Sequence, residues 1–381
     1  MKLKKFAWIV PALFVFVPQN ADAAAVAGSD YWDFLSDEEY LTEENPFAVY
    51  GGVKYELNKI SAPNNYPKTY HENKHHATAY VGFGWRFAEN WSLNGFFSGE
   101  RKWRQDHSTK TEGTVNAYVE GKLGTVTVRG GGVPVFDALN LTNGGLVINA
   151  YVLGGQVKVP VGNWNILATG GVIDNDDYDL TRTTKIFGKD SDSTYLSLQA
   201  YGDFNEKFSG SFGVHNMHNT AAGLTFPNGV RYSPNGDGFF EGGTEKDNTV
   251  ITLGVDYKID DNFTFGGAYA KGNAKFALYD NEKEDKSYSV QFTYGKPELA
   301  EKNNTSAWLA YRQIGTTGSY TSAFHGVGFG ERGVEVGVRH YFMKNLSGEL
   351  VYFSGKKNSP LFAGDSKPKV HNLYFGAEFT F

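Results

Sequence analysis

Apolar residues at every second position, recurring in sixteen segments, are the feature that most restricts how this chain can fold. In the last segment, Leu373, Phe375 and Phe379 alternate with Tyr374, Gly376 and Glu378. A period of two is that of a β-strand whose two faces meet different surroundings. Each segment is close to the 9 to 11 residues that cross a membrane as a tilted strand. The pattern predicts an all-β fold with strands at about 48–59, 75–88, 91–105, 112–124, 125–135, 150–161, 163–175, 194–204, 208–219, 249–259, 263–273, 286–296, 305–315, 333–343, 346–358 and 370–381.

The connections between these segments alternate between short and long. Short ones include residues 89–90, Gly162 and residues 344–345, whereas long ones span 61–74, 176–193 and 220–248. Outer-membrane barrels have short periplasmic turns, long external loops and an even number of strands. A soluble sandwich or propeller also alternates along its strands, but it does not require this rhythm. The sequence therefore favours a transmembrane antiparallel barrel.

The N-terminal residues predict export. Lys2, Lys4 and Lys5 precede an apolar run from 6 to 17, and Ala21-Asp22-Ala23 supplies a cleavage site, so residues 1–23 are expected to be a signal peptide. No later stretch reaches the roughly 18 apolar residues of a membrane-spanning helix. The chain has no cysteine. Closure of a hydrogen-bonded barrel, rather than disulfides, is expected to hold the exported protein.

Charge is concentrated before the first strand. Residues 1–23 carry +2 and residues 24–47 carry −7 of the total of −6, so residues 48–381 are left with −1. A nearly neutral barrel argues against a nucleic-acid partner. Residues 24–47 are expected to form an acidic periplasmic segment, either solvated, docked on a periplasmic partner or dipping into the lumen.

The last strand resembles the sorting signal of bacterial outer-membrane barrels. Its pattern is Tyr374-x-Gly376-x-x-Phe379-x-Phe381, at the very C-terminus. By this resemblance, the barrel-assembly machinery would recognise it. An ordinary closing strand is the alternative, because its backbone must pair with the first strand where lipid offers no partner.

Sixteen strands, the loop rhythm and the terminal phenylalanine together make residues 48–381 similar to the general bacterial outer-membrane porin family. The resemblance implies a homotrimer in the bacterial outer membrane, surrounded by lipid, with no cofactor. A barrel of 16 strands is too wide for side chains to fill, so it encloses a water-filled channel. We expect passive diffusion of ions and small hydrophilic solutes. A solute-specific channel and an adhesion or envelope-linking barrel without transport remain as alternatives.

The resemblance also implies a third loop, at about 136–149, that folds inward and narrows the pore. Its leucines and Ile148 would pack on the inner wall, while Asp137, Asn140 and Asn143 would face water. Strand parity places Lys54, Glu56, Glu100, Arg129 and Arg339 on the lumen face near mid-strand. With Asp137 these charges would create a field across the narrow section. Mutual pairing that merely keeps the wall wet is the alternative for each of them.

Two other kinds of site find little support in the sequence. The cluster His71, His75 and His76 has no spacing that fixes a metal-ligand set, so hydrated loop histidines are expected and no metal site is assigned. No nucleophile, base and acid lie at positions that the predicted strands would bring together, so an enzyme is not predicted.

Overall fold

The computed structural model describes residues 41, 45–61, 72–103, 109–137, 141–173, 193–218, 247–274, 284–296, 300–315, 317–358 and 367–381; for 72–74 and 109–112 it describes the backbone alone. These residues form sixteen β-strands. The strands are β1 (Phe47–Ser61), β2 (Glu72–Ala88), β3 (Trp91–Trp103), β4 (Thr109–Leu123), β5 (Val126–Phe136), β6 (Asn149–Val161), β7 (Trp164–Ile173), β8 (Ser193–Asn205), β9 (Phe208–His218), β10 (Asp247–Lys258), β11 (Phe263–Gly272), β12 (Lys286–Tyr294), β13 (Thr305–Ile314), β14 (Glu331–Met343), β15 (Leu346–Lys357) and β16 (Lys369–Thr380). No helix in these residues is long and apolar enough to cross a membrane.

The strands close into one antiparallel barrel in which every strand pairs with its neighbours in sequence. β16 returns to β1, with Gly52 opposite Thr380 and Lys54 opposite Glu378. The predicted fold class and strand number are thus confirmed, and each observed strand end lies within three residues of its predicted position.

The alternating pattern separates the two faces of the wall. In β10, Ile251 and Leu253 are 50% and 60% exposed on the outer face, whereas Thr252 between them is 4% exposed on the inner face. Because a strand turns successive side chains to opposite faces, one sequence supplies both an apolar outer surface and a polar inner wall.

Short turns at the periplasmic end are fixed by their own residues. Gly162 has a φ of +61°, a value that favours glycine. In the β10–β11 turn the Asp260 carboxylate accepts the backbone N–H of Asn262 and of Phe263, at 2.8 and 2.9 Å. A hydrogen bond and the charge of Lys258 lower the pKa of the neighbouring Asp261.

β4 and β5 pair over only part of their length. The ladder runs from Leu123–Val126 to Tyr118–Gly131 and ends there. Gly131 has a φ of +124°, and a Cβ on it would lie 2.5 Å from the carbonyl oxygen of Ala117. A glycine is therefore required where β5 leaves β4.

Candidate pore constriction

The loop between β5 and β6 is held by the carboxylate of Asp137. Its Oδ1 accepts the backbone N–H of Val147 at 2.8 Å and of Ile148 at 2.7 Å, and its backbone carbonyl accepts the N–H of Gly145 at 3.0 Å. Asp137 is 1% exposed. The prediction that Asp137 faces water is therefore wrong. Its carboxylate binds backbone N–H groups of its own loop and so orients that loop.

The tip of the β5–β6 loop reaches strands on the far side of the barrel. Thr142 donates its backbone N–H and its hydroxyl to the carboxylate of Asp256 in β10, at 2.6 and 3.0 Å. Asn143 accepts a hydrogen bond from Ser289 in β12 and is fully buried, so it too does not face water. The loop therefore lies inside the barrel. Asn140 lies outside the described residues.

A second loop, between β13 and β14, lies beside the first, and sequence reasoning missed it. Tyr320 and Thr321 donate their backbone N–H to the carbonyl of Val147, at 2.8 and 3.0 Å, and Ala323 donates to that of Gly145 at 2.9 Å. The hydroxyl of Ser319 donates to the carbonyl of Leu146 at 2.8 Å. The two loops thus bind each other through their backbones.

Together the two loops pack against inner-wall residues of strands between β5 and β15 and fill that side of the lumen. Leu146, Val147, Ile148, Tyr320 and Val327 are at most 5% exposed, and they belong to one apolar cluster with inward-facing wall residues. Those wall residues include Val133, Val152, Ile173, Tyr195, Met217, Val250, Ala270, Ile314 and Phe353. This side of the barrel resembles the packed core of a soluble protein.

A buried ion pair stands at the base of the β13–β14 loop. The guanidinium of Arg312 lies 2.9 Å from Glu335, donates to Ser289 at 2.6 Å and is covered by the ring of Phe324 at 3.7 Å. Both charged side chains are 3% exposed. Solvated ions cannot reach this pair directly, so we assign it a structural role.

The opposite side of the lumen is accessible and charged. Lys54 and Glu56 in β1 form an ion pair of 3.0 Å, with side chains 26% and 21% exposed. Glu100 in β3 lies between His76 at 2.6 Å and Lys102 at 3.0 Å, all three about a quarter exposed. Pairing puts Lys54 opposite Thr78 and Thr78 opposite Glu100, so these charges lie at one height along β1, β2 and β3.

Comparisons with known proteins agree with this architecture. Residues 243–364 match the model of a family described as "Putative porin". Two mutants of the Rh. blastica porin share the fold at a TM-score of 0.50 and 13% identity, covering 88% of this chain and 100% of theirs. A loop-deletion mutant of OmpT, an outer membrane protein of Vibrio cholerae, is 15% identical with a TM-score of 0.49 over 88% of this chain and 99% of that one. No curated protein matches the sequence.

The chain has the barrel fold of bacterial outer-membrane porins. Identities this low establish the fold alone and leave the solute open.

The remaining predicted lumen charges are paired and less accessible. Arg129 lies 2.6 Å from Glu120, with side chains 9% and 5% exposed, and also donates to Gln156. Arg339 binds Glu349, which His325 of the β13–β14 loop contacts at 3.0 Å. Strand parity predicts that Arg129 and Arg339 point inward. Their ion-pair partners depend on the cross-strand register, which the sequence alone does not specify.

The C-terminal strand closes the wall. Tyr374 points inward and donates to Glu56 at 2.7 Å, Gly376 lies opposite Glu56, and Phe379 is 43% exposed on the outer face. The backbone of Phe381 donates to Gly51 at 2.9 Å and accepts from it at 3.2 Å. Recognition of this strand by the assembly machinery stays a prediction.

His75 and His76 of the histidine cluster point to opposite faces of the wall. His75 points outward and bonds the hydroxyl of Tyr55 at 2.6 Å, whereas His76 points inward to Glu100. His71 lies outside the described residues. In the described part of the chain no three acidic or histidine side chains are grouped to hold a metal ion.

Proposed function

We propose that the barrel is a passive diffusion channel for ions and small hydrophilic solutes. The observation that carries this proposal is the contrast between the two sides of the lumen. Lys54, Glu56, Glu100 and Lys102 on β1 and β3 keep 21 to 29% of their side-chain surface accessible, whereas Arg312 on β13 and Glu335 on β14 keep 3%. A polar, accessible wall that faces two packed loops is the arrangement expected of a narrowed, water-filled path.

The charges along this path support weak ion selectivity. Lys54, Glu56, Glu100 and Lys102 balance each other in formal charge, and each lies within about 3 Å of an opposite charge. Paired charges present a small net potential to a passing ion, so neither sign is strongly excluded.

Planar-bilayer recording of the purified barrel tests the proposal. A diffusion channel gives stepwise conductance that is proportional to salt concentration and hardly changes when sugars or amino acids are added. Saturable block by one solute class would indicate a specific channel instead. No conductance from a barrel that shifts on gels as a folded protein would contradict the proposal and favour an adhesion or envelope-linking role.

The oligomer and the export route are also proposals. The family resemblance supports a homotrimer, and residues 1–23 have the composition of a cleaved signal peptide. The mass of the detergent-solubilised complex and the N-terminal sequence of the mature chain test these two points. A monomer, or an N-terminus at Met1, would contradict them.

A further inference from the structure

The chain that precedes β1 reaches the inner wall of the barrel at its periplasmic end. Leu41 is buried, and a Cβ on Gly84 of β2 would lie 2.9 Å from its Cδ1. Arg86 donates to the backbone carbonyl of Leu41 at 3.4 Å and to that of Glu89, in the β2–β3 turn, at 3.0 Å. Glycine in a strand often marks a close approach by another part of the chain. Gly84 thus provides a recess that Leu41 fills.

The inner wall beside Leu41 is covered more completely than the wall nearer the external end. Tyr50 and Tyr80 are 7% and 5% exposed, and Asn94 is 1% exposed, although all three have the inward parity of their strands. On the same strands, Lys54 and Glu100 keep about a quarter of their side-chain surface accessible. The periplasmic half of this wall is therefore shielded from the water of the lumen, and the next level is not.

The shielded surface is distinct from the packing of the two inward loops. Tyr50 and Tyr80 form an apolar cluster with Ala48 and Phe96, whereas the loops belong to another cluster. The ring of Tyr80 stacks on that of Phe96 at 5.9 Å between centres. We call the inner surface of Tyr50, Tyr80, Asn94 and Phe96 the tyrosine wall. A cover other than the two loops fits its low exposure.

The segment next to Leu41 has a composition that suits this surface. Residues 24–40 and 42–44 lie outside the described residues. Residues 24–40 contain five acidic residues, no lysine or arginine, and the apolar or aromatic side chains Tyr31, Trp32, Phe34, Leu35 and Tyr40. Aromatic side chains gain most from covering other apolar surface. Inward parity places Arg86 and Lys122 at the same end of the wall, where their positive charges would attract the acidic residues.

The length and starting point of the segment also fit. Tyr40 is bonded to Leu41, so the segment ends within one residue of the recess at Gly84. Residues 24–40 would extend about 25 Å even as a helix, which is comparable with the roughly 30 Å thickness of the hydrocarbon layer. The segment is therefore long enough to cover the tyrosine wall.

We propose that residues 24–40 fold back into the periplasmic half of the lumen and dock on the tyrosine wall. Their apolar side chains contact Tyr50, Tyr80 and Phe96, and their acidic side chains face water, Arg86 and Lys122. The docked segment narrows the lumen on the side away from the two inward loops. The docking does not depend on what the channel conducts.

Thiol labelling tests the docking, because the chain has no cysteine of its own. Leu35→Cys places a thiol in the segment, and Glu206→Cys places one on the exposed β8–β9 turn. A maleimide with a polyethylene glycol chain too bulky to enter the barrel should label the first thiol about tenfold more slowly, since it must wait for the segment to leave the lumen. In urea the two unfolded chains should react equally. Equal rates in the folded barrel, as for a solvated tail or one held only by a periplasmic partner, would overturn the proposal.

A pair of glycine variants tests whether the tyrosine wall is the docking surface. Gly84→Leu fills the recess of Leu41 and should speed labelling of Leu35→Cys about tenfold, because the recess no longer admits Leu41. Gly99→Leu is the matched control, since a Cβ there meets open space, and it should leave the rate unchanged.

Leu41→Ser leaves the wall intact and should act like Gly84→Leu, so the test holds even if Gly84→Leu does not fold. The heat-modifiable band on gels reports folding of each variant. Slow labelling that persists in Leu41→Ser would overturn the assignment to this wall. Single-channel conductance is a separate measurement, so docking can be detected or excluded whether or not the barrel conducts.

Discussion

At the scale of single residues, Lys54 and Glu56 form an accessible ion pair on the inner wall, with side chains 26% and 21% exposed. Lys54→Gln should shift the reversal potential in a salt gradient towards cation preference, because Glu56 then loses its partner charge. Glu56→Gln should shift it the other way. The effect should be larger at 0.1 M than at 1 M salt, since the Debye length falls from about 10 Å to about 3 Å.

Arg129→Gln is a useful comparison within the lumen, and Lys207→Gln on a periplasmic turn is the control. Arg129 is less exposed and Glu120 holds it, so its neutralisation should give a smaller shift of the same sign as Lys54→Gln. If Lys54→Gln and Lys207→Gln give the same reversal potential at low salt, Lys54 does not line the conducting path.

The buried pair of Arg312 and Glu335 should matter for stability rather than conduction. Arg312→Ala leaves the Glu335 carboxylate without its ion pair in a packed site, which is expected to cost about 3 to 5 kcal/mol of unfolding free energy. The double replacement Arg312→Met with Glu335→Met should recover much of that loss. Urea unfolding of the barrel in lipid vesicles measures both.

One result would contradict this prediction about Arg312 and Glu335. If Arg312→Ala unfolds at the parent's urea concentration but changes ion selectivity, water and ions reach this pair, and the β13–β14 loop does not seal it.

At the scale of elements, the two inward loops determine the width of the channel. Removing residues 318–326 of the β13–β14 loop should raise single-channel conductance roughly twofold, because a 16-stranded barrel without filling leaves a wide aqueous channel. Shortening the loop at 223–240, which lies outside the described residues, is the control. A folded deletion variant that conducts like the parent would show that the path avoids this loop.

The strands could be predicted from the sequence, but one of the two loops could not. Strand parity follows from a local period of two, so the faces of Ile251 and Thr252 can be read without the fold. The inward position of Tyr320 depends on a carbonyl of Val147, far away in sequence. The apolar residues Tyr320, Phe324, Val327 and Phe329 were the available signal, since four such side chains are unusual on an exposed loop.

Mutual pairing of the lumen charges is one of the two alternatives that the sequence allows, but the sequence does not show which residues pair. Arg129 meets Glu120 because they are opposite each other in the β4–β5 register, and register is set by turns and bulges that single-residue patterns do not specify. The family resemblance implies that Asp137 faces water, but backbone N–H groups of its own loop bind its carboxylate instead.

At the scale of the whole molecule, Phe381 joins the two ends of the wall. Its backbone exchanges hydrogen bonds with Gly51, and a Cβ on Gly51 would lie only 2.6 Å from the Cζ of its ring. Phe381→Asp should reduce assembly, because a charge replaces an aromatic residue at the membrane edge and the proposed sorting signal is lost. The folded fraction is measured as the heat-modifiable band on gels.

Phe381→Tyr keeps the ring and is the matched control for that measurement. Equal folded fractions for the aspartate and tyrosine variants at the cell surface would remove any special role of the terminal aromatic residue.

Closure of β16 onto β1 also limits how such a chain can change in length. Because the closing pair is antiparallel, with Gly52 opposite Thr380, loss or gain of a single strand would leave the first and last strands pointing the same way. Both ends would then have to be reconnected in a parallel ladder with a different hydrogen-bond pattern. Hairpins are therefore the smallest unit of growth. A family of barrels related to this one should differ in size by steps of two strands, and internal duplication should copy a strand, its turn and the next strand together.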